Sequence, residues 1–217
     1  MTGAIDFTLN LPFKHLSYTQ VNTYLNNPKE YMEQYILGKD WMAEIKKTNP
    51  RLWDKVTLGG IIQDAISDPR VNWIKKLREN GFTSDKERII KTALNAHNLV
   101  KMAPAHSDKK IYVDYCGIPL VIKPDGWDGK TLLETKFGAP RNQERIDDDL
   151  QISTYVLGLK IHTGKMPKKI VYQVIDDKTG KIRLFETTRR DQDLDHVGNL
   201  IIQVARGISE RRFETVI

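Results

Sequence analysis

Cysteine is nearly absent from this sequence: Cys116 is the only one in 217 residues. A single thiol excludes an internal disulfide and any cluster held by several thiolates. No apolar run approaches the roughly 20 residues that span a bilayer. The start, Met1 to Leu11, carries an acid and lacks the basic first residues and apolar centre of a secretion signal. There is no Walker-type phosphate loop, and Gly158 and Gly180 belong to no such motif, so an ATP-driven motor is not expected in this chain. The five histidines, at positions 15, 97, 106, 162 and 196, show no metal-ligand spacing. Internal repeats, linkers and low-complexity tracts are also missing. These absences lead to the expectation of a cytoplasmic protein in a reducing cell, cellular or virus-encoded, with no membrane partner.

What is present is ordinary for a globular chain. Hydrophobic residues make up 40% and charged residues 29%, and the length suffices for one well-packed core. Lys and Arg outnumber Asp and Glu by 34 to 28, a formal charge of +6. Excess positive charge concentrates polyanions, which makes nucleic acid a reasonable partner, although charge alone is a weak signal.

Ser17-Tyr-Thr-Gln20 has the spacing of a capping box and predicts a helix, broken near Asn26-Asn27-Pro28 and resumed to Gly38. Residues 39–57 show no clean period and read as an irregular connection. Gly59 to Ile66 reads as a short helix, and Val71 to Asn80 as another, stopped by Gly81. Ser84-Asp-Lys-Glu87 repeats the capping spacing and opens a helix with apolar positions at Ile89, Ile90, Ala93, Leu94, Leu99 and Val100, ended at the latest by Pro104. The pattern then changes. Lys110 to Tyr115, Ile118 to Lys123 and Thr131 to Phe137 are rich in β-branched and aromatic residues and are separated by turn residues, which predicts three consecutive antiparallel strands. The acidic run Asp147-Asp-Asp149 sits where a helix should begin, running through Tyr155 and Leu159. Two strands, Lys169 to Ile175 and Lys181 to Glu186, and a last helix from about Gln192 to Arg206 complete an α+β or mixed α/β domain.

The chemistry concentrates between Lys123 and Lys136. Asp125 ends the second strand of the meander, and Glu134 and Lys136 lie on one face of the third, their Cα atoms roughly 6.5 Å apart. A tight turn at Asp128-Gly129 folds the third strand back, so Asp125 can approach Glu134 from the side. Two converging carboxylates make a hard, oxygen-rich site for Mg²⁺ or Mn²⁺, to which the backbone carbonyl of Thr135 can add a ligand. Such an ion lowers the pKa of its water and stabilises charge on phosphate, while Lys136 can orient that water or neutralise developing charge. Alone, however, an alternating acid and base on a strand usually marks a solvated face with Leu133, Thr135 and Phe137 inward.

The company these residues keep changes that balance. Pro124-Asp125 followed by Glu134-Thr135-Lys136, with Gln151-Ile-Ser-Thr-Tyr155 on the next helix, resembles the PD-(D/E)XK nuclease superfamily, and specifically its RecB-like branch. Leu16 to Pro28 is similar to the opening helix of that branch, and Gly59 to Ile66 to the helix bearing its first motif. The resemblance covers residues from about 16 to 160. It implies a restriction-endonuclease-like core: one domain over 1–217, with a helical portion at about 16–104 and a catalytic sheet core at about 109–190. It also implies Asp125 and Glu134 as metal ligands, Lys136 as the catalytic lysine, and Gln151 and Tyr155 bordering the site on one helical face. Two departures matter. Gln63 stands where many members place a histidine ligand, so it would reach metal through water or not at all. With Cys116 alone, the iron–sulfur cluster of some relatives cannot form.

Lys123, Arg141 and Arg145 are candidates to contact phosphate, and Lys168-Lys169 and Arg189-Arg190 are weaker ones, since a charge pair usually marks a solvated face. Trp41, Trp53, Tyr31 and Tyr35 can stack on bases, although core packing is their default. The expectation is a magnesium- or manganese-dependent deoxyribonuclease, an exonuclease of recombination, repair or viral DNA processing, with DNA as partner and recombination or replication proteins as further ones. The alternative is a nuclease fold kept as a catalytically weak DNA- or partner-binding module.

Overall fold

The computed structural model describes residues 12–100, 109–139 and 141–214, with only the backbone of Leu99 and Val100. The helix end expected at Pro104 and His106 lie outside these residues. Leu16–Ser17 forms a short strand, β1, and leads directly into α1 (Tyr18–Asn26). The expected capping box is present: the Ser17 hydroxyl accepts from the Gln20 amide, and the Gln20 side chain accepts from the Ser17 amide. Asn27 breaks the helix and caps α2 (Pro28–Tyr31), which runs into a π-helical turn, Met32–Ile36. Gly38, at φ 71°, ends this segment.

Residues 39–57 correct the expectation of an irregular connection. They hold α3 (Trp41–Thr48) and the first half of α4 (Pro50–Ser67), so the short helix expected at Gly59 begins nine residues earlier. Asp40 caps α3 through the Ala43 amide, and Asn49 caps α4 through the Leu52 amide with Pro50 in the first turn. Most of α3 faces solvent, with only Ile45 buried, which is why no apolar period betrays it. Then come α5 (Trp73–Glu79) and α6 (Ser84–Val100). Ser84 is already helical, and the carbonyl of Thr83 receives the Lys86 and Glu87 amides.

The meander runs in the expected chain order but is divided between two sheets. β2 (Ile111–Tyr115) and β3 (Ile118–Ile122) form an antiparallel hairpin, turned by Cys116 at φ 54° and Gly117 at φ 79°; β1 adds to β3 in parallel. β3 stops before Pro124, which has no N–H to give a ladder. The chain resumes as β4 (Gly126–Trp127), antiparallel to β5 (Thr131–Gly138) in a second sheet of order β4-β5-β6-β7. β6 (Lys169–Asp176) is parallel to β5, and β7 (Ile182–Thr187) is antiparallel to β6.

A parallel neighbour needs a crossover. It runs through α7 (Gln143–Asp147) and α8 (Leu150–Thr163), closed by Gly164 at φ 73°. Every residue from Ile152 to Leu159 is buried, because α8 packs on β2 and β3 and against α1 and the last helix, α9 (Asp191–Ser209). The side chain of Ile122 occupies the place of a β-carbon on Gly158, so this glycine lets α8 lie close on β3. One hydrophobic cluster joins β3, α8, β6 and α9, and a second joins α4, α5, α6 and Ile175 of β6. Among the described residues no helix is long and apolar enough to cross a membrane.

Candidate active site

β4 is two residues long and β5 is eight, so β5 runs on past its partner. In the register Trp127 with Leu132 and Gly126 with Leu133, the next opposing pair is Asp125 and Glu134. The Asp128 carboxylate fixes the turn between them by accepting the amides of Lys130 and Thr131, and Gly129 takes φ 89°. Asp125 lies where β4 has ended, and its carboxylate takes the next rung, accepting the Thr135 amide at 2.7 Å. In a strand one residue's N–H and C=O point to the same side. The Thr135 carbonyl therefore also faces the Asp125 side, away from β6.

Glu134 is 1% exposed and its neighbour Leu133 is buried as well, so Glu134 does not lie on the solvated face that an isolated acid–base alternation would mark. Lys136 donates to Glu134 Oε1 and, at 2.7 Å, to the side-chain oxygen of Gln151. The Gln151 amide in turn donates to the Tyr155 hydroxyl at 2.7 Å. Strand and helix are thereby tied by one chain of bonds, Glu134–Lys136–Gln151–Tyr155. Among the described residues Glu134 Oε2 has no hydrogen-bond partner. Burial, reinforced by the charge of Asp125 and opposed by Lys136, pushes the Glu134 carboxyl up to about 8. Burial, then the charge of Glu134, also raises the Tyr155 phenol.

Asp125, Glu134, Thr135, Lys136 and Gln151 line one cleft of about 430 Å³. Its other wall is α4, which contributes Leu52, Lys55, Gly59 and Gln63. The Gln63 side chain donates to Ser67 at 3.4 Å. Among the described residues no group of three or more His, Cys, Asp and Glu could hold a metal. What the cleft offers is two carboxylates, one with an unpartnered oxygen, beside carbonyl oxygens. That set suits Mg²⁺ or Mn²⁺, hard ions that keep several waters and take substrate oxygens as further ligands, better than zinc or a calcium cage.

Sequence reasoning missed Lys55, Tyr18 and Asp149. Lys55 precedes Gly59 and Gln63 by four and eight residues on one helical face, a spacing hidden by the absence of an expected helix there. Tyr18, in the first turn of α1, is pushed up to about 12 by burial and then by the charge of Asp149, with Glu134 adding to it. Asp149 caps α8 through the Gln151 and Ile152 amides, and its second oxygen accepts from Arg141 at 3.2 Å and from the Tyr172 hydroxyl at 2.9 Å.

The cationic candidates fare differently. The Arg141 guanidinium is held by Asp149 and lies 5.6 Å from the Tyr172 ring centre. Arg145 is exposed on α7, which packs on β7 at the far edge of the sheet, and it does not line the cleft. Lys123 is exposed and, with Tyr155 and Asp125, lines a neighbouring cleft instead. Arg189 is not on a solvated face: buried, it donates to Ser153, Thr187 and the carbonyls of Ile146, Asp149 and Thr188. Tyr31 is fully buried, while Tyr35, Trp41 and Trp53 keep partial exposure.

No protein-family model matches the chain, and no curated protein matches its sequence. Among solved structures it is similar to an inferred exonuclease from Eubacterium rectale, at 14% identity over 92% of this chain and 83% of that one, with a TM-score of 0.61. A looser likeness, at 12% identity and a TM-score of 0.33 over 70% of this chain and 90% of the other, is to an alkaline exonuclease from Laribacter hongkongensis. The first is a likeness of fold, a mixed α+β architecture.

Proposed function

We propose that this chain is a divalent-cation-dependent deoxyribonuclease, an exonuclease of the RecB-like branch, that hydrolyses phosphodiester bonds in recombination, repair or viral DNA processing. The observation that carries the reading is the buried Glu134 beside Asp125, with one carboxylate oxygen unpartnered among the described residues and Lys136 at hand. A fold that keeps two acids together at such cost, on a cleft, has a use for them. The likeness of fold to a protein inferred to be an exonuclease is consistent with it.

Asp125 and Glu134, with the Thr135 carbonyl, are the residues that would hold Mg²⁺ or Mn²⁺. When bound, the ion supplies Lewis-acid polarisation of a phosphate oxygen and a more acidic water. The chain's own residues do the rest. The Thr135 amide orients Asp125, and the bond from Lys136 orients Glu134. Lys136 carries a charge on the cleft wall that neutralises the phosphorane-like negative charge as it develops. Gln151, held between Lys136 and Tyr155, has its place fixed for contact with substrate or the attacking water, and Lys55 draws phosphate to the cleft mouth. Gln63, engaged with Ser67, reaches an ion only through water.

The second reading, a nuclease fold that binds DNA with little catalysis, is favoured by the absence of a third acidic or imidazole ligand among the described residues. End-labelled linear and covalently closed DNA, single- and double-stranded, separate the two when incubated with Mg²⁺, Mn²⁺ or EDTA. The exonuclease reading expects metal-dependent loss of linear DNA alone, abolished by Lys136→Ala. Cutting of closed circles makes the protein an endonuclease. Binding without cutting under any condition supports the second reading.

A further inference from the structure

The active-site cleft is the middle one of three. A cleft of about 220 Å³ shares Lys55 and Phe137 with it and is otherwise bounded by Arg51, Lys86 and Lys178 with Asp54 and Asp177. On the other side a cleft of about 580 Å³ shares Asp125 and is bounded by Lys14, His15, Tyr18, Lys110, Tyr112 and Lys123. The three form a run, contiguous through these shared residues, with both carboxylates in the cleft common to the other two.

Both end clefts gather basic side chains. Some surface cations elsewhere pair with acids, as Lys39, Arg70, Lys76, Lys160 and Lys169 do, while others, Lys168 and Lys181 among them, form no ion pair among the described residues. Among the described residues Lys14, Arg51, Lys55, Lys86, Lys110 and Lys178 form no ion pair, and basic side chains outnumber acids at both ends: Arg51, Lys55, Lys86 and Lys178 against Asp54 and Asp177 at one, Lys14, Lys110 and Lys123 against Asp125 at the other. The ends differ in chemistry. At the far side of Asp125 the His15 and Tyr112 rings lie 4.6 Å apart at 52°, and Tyr112 is 54% exposed. An exposed ring beside cations is a platform for a base with a free face, which a paired duplex does not offer. At the Lys86 end the aromatic lining is Phe137, shared with the central cleft, and the attraction there is for phosphate.

We propose that this run is a track for single-stranded DNA extending to both sides of the cleaved bond, with phosphates held by Arg51, Lys86 and Lys178 at one end and a base stacked on Tyr112 at the other. The inference rests on the reading of the central cleft as a nuclease site, and its test is kept separate from cleavage by measuring binding in EDTA.

Fluorescence anisotropy of a labelled strand of about 16 nucleotides measures the affinity. The expected result for Tyr112→Ala is a loss of roughly tenfold on single strands and little change on duplex. Lys86→Gln with Lys178→Gln is expected to weaken binding and to flatten its dependence on log salt by roughly 0.7 for each phosphate no longer neutralised. Lys168→Gln, off the track, serves as the control and should bind as wild type. Equal losses from Lys168→Gln and Lys86→Gln would make the attraction diffuse and overturn the track, as would unchanged binding in the Tyr112 and Lys86/Lys178 variants or a preference for duplex or RNA. A protein that binds in this pattern but does not cut with Mg²⁺ sinks the nuclease reading and leaves the track standing.

Discussion

Glu134 is buried beside another acid, and the cost shows in its proton affinity: its carboxyl is pushed from 4.5 up to about 8. The native protein therefore binds more protons than the unfolded chain between those two values. Stability of the cation-free protein is then fully present below about 4.5 and falls as pH rises towards 8. At about 1.4 kcal/mol per pKa unit, the loss is on the order of a few kcal/mol. Melting temperatures in EDTA should fall between about pH 6 and about pH 8.5 for wild type and change less for Glu134→Gln; equal slopes would show that Glu134 is not the group responsible. A divalent ion held by Glu134 would take the proton's place, so stabilisation by Mg²⁺ should be larger at the higher pH. At this scale the sequence was most legible. Asp125, Glu134 and Lys136 sit within one short segment, and Gln151 and Tyr155 are one helical turn apart, so local periodicity brings them together. What it could not reveal was that Lys136 is shared between Glu134 and Gln151, because that bond joins a strand to a helix fifteen residues on.

The elements that carry the site are held in place by residues with no part in the chemistry. Asp149 caps α8 and also binds Arg141 and Tyr172, so it fixes the first turn, where Gln151 is. Asp149→Ala should cost about 1–3 kcal/mol through the missing cap and the donors left unpaired. It should also lower cleavage by displacing Gln151. Asp149→Asn keeps an oxygen for the cap and should lose less. Denaturant melts paired with cleavage rates check both, and a destabilised Asp149→Ala that cuts normally would separate the cap from the site. Arg189 does for the start of α8 from beneath what Asp149 does from its end, through Ser153 and the Asp149 carbonyl. Elements were read from periodicity, which served the amphipathic α6 and α9. It failed for α3 and the first half of α4, where exposure leaves no apolar stripe. The caps at Asp40 and at Asn49-Pro50 were there to be read, and with them Lys55 would have been placed on the cleft wall. The break in the meander was also written locally: Pro124 ends β3, while the Asp128-Gly129 turn joins β4, not β3, to β5.

For the whole molecule, a net charge of +6 says only that polyanions are welcome. Where the charge gathers depends on residues from Lys14 to Lys178, brought to one run of clefts by β1 against β3, α4 against β5 and the β6–β7 turn beside α6. No window of sequence contains that arrangement. The parallel pairing of β5 with β6 was equally hidden, since it is made through a crossover of two helices. If the two acids at the end of β4 and on β5 hold the ion for phosphodiester hydrolysis, cutting must depend both on the ion and on Asp125. The most direct test is single-turnover cleavage of linear single-stranded DNA by wild type and Asp125→Asn, each shown to be folded by its melt, with Mg²⁺ and with EDTA. Wild type is expected to cut only with the ion, and the variant to lose at least about 10²-fold. Cutting in EDTA, or wild-type rates from a folded Asp125→Asn protein, would contradict this role for the two acids.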